Sequence, residues 1–358
     1  MIPVYQKNLV LKFFSSFLKI SIFFLSLIII LNLFEEISFF KNTNSSLFLP
    51  LYVTILNAPS VLFDVFPFVF LISTMYFFME ILDKDELLIY KTFGLTNLKI
   101  IKTISLTTIL ASFFIVFIFY NLSSSLKFLY LNIKNDYAKD SKYLAVVTAN
   151  GLWIKDEINS KINIINAEKI EKGYLLNVAI SQFDTNFDIE NFIVAPKINI
   201  NTNFWTIETA TLTTDNNTSK IDNFEFESNF NLEKISSLFS NFSSLTLWEL
   251  NKLKGDYQSL GYGTKVLSGY QHKLISYPLY LTLMVCIASI LMLNIKYNKS
   301  KVFNLVLGIL ISVIIYYINY FFSVIIETKR IPYIYSIWGP QFILALIVLV
   351  GLLRINEK

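Results

Sequence analysis

Six long apolar runs set the first limit on what this chain can be. They extend over Phe13 to Phe34, Val61 to Leu82, Ile100 to Leu122, Leu274 to Leu293, Val302 to Ile326 and Tyr335 to Leu353. At a rise of about 1.5 Å per residue, some 20 residues cross a hydrocarbon core of roughly 30 Å. A soluble domain of 358 residues has too little interior to hide a chain that is 54% hydrophobic. The spacing therefore predicts an α-helical membrane protein with six transmembrane helices. The first run is too long for the core of a cleaved leader, and Glu35-Glu36 follows it where small residues would mark a cleavage site.

Lys and Arg in the short loops predict the orientation. One side holds Lys7, Lys12, Lys84, Lys91, Lys99, Lys102, Lys296, Lys299, Lys301, Arg354 and Lys358, which makes eleven; the other holds Lys41, Lys329 and Arg330. Both termini are expected in the cytoplasm. The segment from about Ser123 to Gln271 is then expected outside, in the periplasm of a bacterium with two membranes. A net charge of +4 is too small to argue for nucleic acid, and the single cysteine, Cys286, allows no disulfide framework.

The inserted segment changes character. Tyr143 to Thr148, Leu152 to Lys155, Lys161 to Ala167, Tyr174 to Phe183, Asn186 to Pro196, Phe204 to Thr213 and Asn223 to Phe230 read as short strands bounded by Asn, Asp, Gly and Ser. Strands at regular spacing without helices between them predict a sandwich or a β-jellyroll-like domain. Leu247, Leu250, Leu253 and Tyr257 then recur at helical spacing. The expected division is 1–122 for helices one to three, with a cytoplasmic helix near 83–94; 123–244 for the β-domain; 245–272 for a connecting helix; and 273–358 for helices four to six.

Residues able to do covalent chemistry are scarce. The one histidine, His272, sits beside Lys273 at a membrane edge, and a metal site wants several ligands. Gly261-Tyr-Gly263-Thr-Lys265 lacks the Gly-Lys-Ser/Thr ending and the preceding strand of a phosphate loop. No nucleophile and base pair can be nominated. The expectation is a chain without its own catalytic, cofactor or metal residues, driven by a partner.

The loop between spans two and three carries the most information. In Asp83-Lys-Asp-Glu86-Leu-Leu-Ile89-Tyr90-Lys-Thr-Phe93-Gly94, a short helix is predicted with Gly94 as its stop. Glu86, Ile89, Tyr90 and Phe93 recur at spacings of three and four. Such a face suits a groove on another protein; a helix lying along the headgroups would use Ile89 and Phe93 equally well.

These residues carry a family resemblance. Asp85-Glu86-Leu87 through Phe93-Gly94-Leu95-Thr96 resembles the coupling segment of the LptF/LptG lipopolysaccharide export permeases. Ala58-Pro59 and Phe66-Pro67 resemble that family's paired prolines near the start of the second helix, and Gly151-Leu-Trp-Ile-Lys-Asp156 resembles a signature of its LptG branch. Leu247-Trp-Glu-Leu250, Tyr270 to Pro278 and Ile331-Pro332 follow in the family's order. The resemblance spans nearly the whole chain. It implies one half of a pair with an LptF-like second permease subunit over an LptB-like ATPase dimer, which binds ATP and Mg2+. It implies that lipopolysaccharide leaves the inner membrane for LptC-like and LptA-like bridge proteins toward the outer membrane. It also implies ATPase coupling through Glu86, Ile89, Tyr90, Phe93 and Gly94, and a lateral gate at the first and fifth helices, where Asn32, Tyr316, Asn319 and Tyr320 lie.

One departure stands out. Where related LptG chains are Lys-rich, this one reads Glu35-Glu36 with only Lys41 following. Two acids beside an anionic head group are unfavourable unless a divalent cation bridges them, so either Lys41, Lys329 and Arg330 do the recognition or the lipid carries fewer phosphates. Two other classes remain: a different ABC-type envelope permease, which usually has four spans per chain, and a membrane-anchored envelope assembly factor.

Overall fold

The structure is a computed structural model. It describes all residues except 1–2, 42, 44–45, 138–151, 159–160, 172, 186, 215–216, 233–234, 236–240, 260–263, 295–300, 328–331 and 357–358. The chain divides into two units, 1–127 with 265–358, and 128–264.

The first unit is helical. Helix α1 covers Val4–Phe40, α2 Leu49–Asp83 and the short α3 Glu86–Thr92. Helix α4 (Asn97–Phe114) passes through a π-turn (Ile115–Phe119) into α5 (Tyr120–Tyr137), whose residues from Phe128 onward belong to the second unit. Helix α6 (Leu247–Ser259) belongs to the other unit; α7 (Lys265–Leu293), α8 (Lys301–Glu327) and α9 (Tyr333–Asn356) complete this one. Among the described residues, six stretches are long and apolar enough to cross a membrane, matching the six runs in order. The helices outrun the apolar runs. Helix α2 starts twelve residues before Val61, so Pro59 and Pro67 lie inside it rather than at its start. Helix α7 begins at Lys265 and continues unbroken past His272 and Lys273, which therefore sit within the fourth spanning helix.

Helices α2 and α7 form the centre. About two-thirds of the most apolar window is buried in each, against 6% in α1 and 17% in α8. Lipid is as apolar as leucine, so these helices associate through close packing and internally satisfied polar groups. Aromatic rings do much of the packing. Phe17 of α1 stacks on Phe66 and meets Phe70 of α2 at a tilt, and Phe63 lies flat against Tyr277 of α7 at 4.6 Å. Buried hydroxyls return to their own helices, as Thr54 does to the Pro50 carbonyl and Ser289 to that of Val285.

Pro67 shows how sequence dictates this packing. A proline has no N–H, so the carbonyl four residues back, on Phe63, loses its helical donor. The Tyr277 hydroxyl donates a hydrogen bond to that carbonyl. A helix break written into α2 is thus mended by a side chain of α7, which fixes both rings and helices in register.

Among the described residues of the second unit, six strands form one antiparallel sheet in the order β1-β2-β3-β4-β5-β6. They are β1 Leu152–Ile158, β2 Lys161–Glu171, β3 Tyr174–Phe183, β4 Ile189–Asn199, β5 Phe204–Thr214 and β6 Asn217–Glu227. Each lies at or close to a run read as a strand; the expected strand at 143–148 lies outside the described residues. Every strand pairs with its sequence neighbour, so the topology is a meander. Period-two alternation buries one face. Ile154, Ile165, Ile180 and Ile193 pair in a row across four strands, all buried. The sheet rolls until its first strand reaches the residues after its last. The buried Asp156 of β1 accepts hydrogen bonds from Ser228 Oγ (2.8 Å), Asn229 N (3.1 Å) and Asn229 Nδ2 (2.9 Å). Trp205 of β5, fully buried, donates to the Phe230 carbonyl at 2.7 Å and holds the same segment from the other side. A capping box starts α6: the backbone N–H of Glu249 donates to Thr246 Oγ1, and that of Thr246 to the Glu249 carboxylate.

Candidate functional site: the short helix and the uncovered spans

Helix α3 follows α2 after a two-residue turn in which Asp85 takes a left-handed conformation, φ 55°. Its end is a Schellman motif. Leu95 N donates to the Tyr90 carbonyl (3.1 Å), Gly94 N donates to that of Lys91 (2.9 Å), and Gly94 has φ 78°. A side chain at Gly94 would strain this stop, which is why glycine terminates the helix here.

The four residues assigned to one face divide in two. Glu86 forms an ion pair with Lys12 of α1, and the Tyr90 hydroxyl accepts a hydrogen bond from Asn8 Nδ2 at 3.0 Å. Tyr90 is buried, and that burial pushes its phenol above the ordinary value, with Glu86 adding to and Lys12 opposing the shift. Ile89 and Phe93 point away, together with Leu88; Phe93 is 81% exposed. The spacing correctly groups neighbours, but a face some 100° wide has an inner and an outer edge. The inner edge ties α3 to the cytoplasm-predicted end of α1, and the outer edge presents three bare apolar side chains.

At the far end of α1, Glu36 is buried while Glu35 and Lys41 are exposed. The two acids therefore do not share one environment. Asn32 is half-buried, and its Nδ2 has no hydrogen-bond partner among the described residues. On α8, Tyr316 stacks on Tyr320 (6.5 Å) and meets Tyr317 edge-on (5.8 Å); all three are exposed. Asn319 points elsewhere. It accepts from Gln341 of α9 (3.2 Å) and donates to the Ile315 carbonyl (3.0 Å). Lys329 and Arg330 lie outside the described residues. Helices α1 and α8 both pack on α2, and each leaves most of its apolar surface uncovered. Sequence reading missed Lys12 and Asn8 as partners of α3, because 74 and 82 positions separate them from Glu86 and Tyr90.

The family model for the lipopolysaccharide export system permease LptF/LptG matches residues 9–354. No individual curated protein matches the chain. The match covers all six spans and the inserted sheet, with the motif-bearing loop in its expected place between spans two and three. The chain therefore belongs to the LptF/LptG family and is a multi-pass inner-membrane permease of lipopolysaccharide export.

Proposed function

We propose that the chain is one half of a paired permease that extracts lipopolysaccharide from the inner membrane on ATP hydrolysis by a partner and passes it to a periplasmic bridge. The observation that carries this reading is the outer edge of α3. Leu88, Ile89 and Phe93 are exposed on a helix that is braced from behind by Lys12 and Asn8. An exposed aromatic on a braced helix is the kind of anchor that fills a groove on a partner. The groove belongs to an LptB-like ATPase dimer that binds ATP and Mg2+, and this chain contributes no nucleotide site. Gly94 keeps α3 short enough to act as a single knob.

In this reading both termini and α3 face the cytoplasm, and the sheet domain lies in the periplasm, as the eleven-to-three distribution of basic residues supports. An LptF-like second permease covers the bare faces of α1 and α8, leaving a cavity between the two chains for the lipid. Tyr316 and Tyr320 offer broad faces with polar tips there, suited to a ligand that is part sugar and part acyl chain. Lys41, Lys329 and Arg330 meet the head group. The rolled sheet receives the acyl chains, and its edge strands β1 and β6 hand them to LptC-like and LptA-like domains by strand pairing.

The test is affinity purification of the full chain from its native membrane. A small soluble ATPase copurifies with the unmodified chain, and Phe93→Asp loses it while remaining inserted in the membrane. A headgroup-lying helix predicts that the ATPase stays bound to the Phe93→Asp chain.

A further inference from the structure

Between α7, α8 and α9 lies a cavity of about 490 Å3, open sideways along exposed Ile314, Ile343 and Ile347. Its lining is aliphatic apart from Asn319 at one end and Arg354 at the other. The floor is tight. A Cβ on Gly351 of α9 would lie 2.8 Å from Ile290 of α7, so these two helices are in close contact there. The space exists because α8 stands off that pair.

We propose that this groove is a binding site for one acyl chain of an anionic phospholipid, with its phosphate on Arg354. From Pro340 to Arg354 the lining runs along α9 for about 21 Å, at about 1.5 Å per residue, an aliphatic track long enough for one extended acyl chain. The length also exceeds the roughly 15 Å half-thickness of the hydrocarbon core, so a chain anchored at Arg354 lies within the groove throughout its leaflet.

Polarity decides the head group. The amide of Asn319 is already engaged by Gln341 and the Ile315 carbonyl, so that end asks for nothing charged. Arg354 is exposed and has no ion-pair partner among the described residues. Its planar fork suits a phosphate bidentately. A ligand with one anionic end and one long apolar tail fits both ends. Arg354 shares its membrane face with the start of α8, and that this is the cytoplasmic leaflet rests on the orientation proposed above. A resident chain sets how far α8 stands from α9.

The complex of the full chain with its partners is reconstituted into phosphatidylcholine bilayers doped with phosphatidylglycerol, then re-extracted, and retained lipids are counted by native mass spectrometry. One phosphatidylglycerol per chain is expected. Arg354→Gln lowers its retention about tenfold, as loss of a charge-assisted contact would. Ile347→Trp, which fills the groove from its lipid-facing rim, abolishes retention; Leu349→Trp, exposed on the same helix but outside the lining, leaves it intact. Unchanged retention in Arg354→Gln and Ile347→Trp overturns the site. Loss with Ile347→Trp alone overturns the anionic assignment. A photo-crosslinker at Ile343 that captures a neighbouring protein helix in place of lipid overturns the occupant. None of these outcomes depends on whether lipopolysaccharide is exported, so the site and the transport reading fail separately.

Discussion

Reversing the charge at Glu86 attacks the joint between α1 and α3. The Lys12 and Glu86 side chains are 29% and 21% exposed, so the pair is about three-quarters covered. An exposed ion pair contributes about 0–1 kcal/mol, and breaking a buried one costs about 3–5 kcal/mol. This pair falls between, at about 2 kcal/mol. Glu86→Lys removes that contribution and sets two ammonium groups against each other, leaving the inner edge to the Asn8–Tyr90 bond and the burial of Tyr90. A shift of about 2 kcal/mol raises the undocked population of α3 about 30-fold. Hydrogen exchange of the amides from Leu88 to Leu95 in the purified chain reports that population. The expected result is faster exchange there in Glu86→Lys, unchanged exchange in α7, and restoration by Lys12→Glu combined with Glu86→Lys. Exchange that does not change in Glu86→Lys would refute the brace. The double variant also separates two uses of the carboxylate. Restored exchange with restored export means Glu86 acts through Lys12; restored exchange without export means it also meets a base on the ATPase.

Three further outcomes follow from the same structure. Tyr277→Phe leaves the Phe63 carbonyl without a donor and lowers detergent-solubilised thermal stability by about 1–3 kcal/mol; Pro67→Ala, which restores the helical N–H, suppresses most of that loss, and purely additive effects would exclude the proposed repair. Asp156→Ala strips the seam of the rolled sheet of three hydrogen bonds, so limited proteolysis should cut residues 152–232 much faster than in the parent, whereas Asp222→Ala on exposed β6 should not change the rate. Cysteines at Asn44, Thr218 and Lys329 react with an impermeant thiol reagent once the outer membrane is permeabilised, while those at Lys99 and Lys299 do not; a labelled Lys99 site would invert the topology.

The spans were legible because hydrocarbon imposes one requirement on every residue in the run, and hydropathy reads it directly. Helix ends were not. Helix α1 extends from Val4 to Phe40 because Lys7 and Lys12 sit on helical turns beyond the apolar core, where hydropathy is blind. The strands were legible by period two, and Gly94 by its role as a stop. Contacts between distant segments were hidden. Asp156 meets Ser228 across 72 positions and Lys12 meets Glu86 across 74, and local periodicity carries no information at that range. The same limit explains why Tyr90 and Phe93, one helical turn apart, have opposite fates: the pattern gives a face, and only the neighbouring helix decides which edge is covered.

The central claim is that lipopolysaccharide travels past the uncovered faces of α1 and α8. Photo-crosslinking amino acids at Asn32 and Tyr320 in cells test it most directly, with Phe342 as a lipid-facing control on α9, 66% exposed. The account predicts lipopolysaccharide adducts at Asn32 and Tyr320 that accumulate when ATP turnover is blocked, with little at Phe342. Adducts as abundant at Phe342 as at the two gate positions, or none at either, would contradict it.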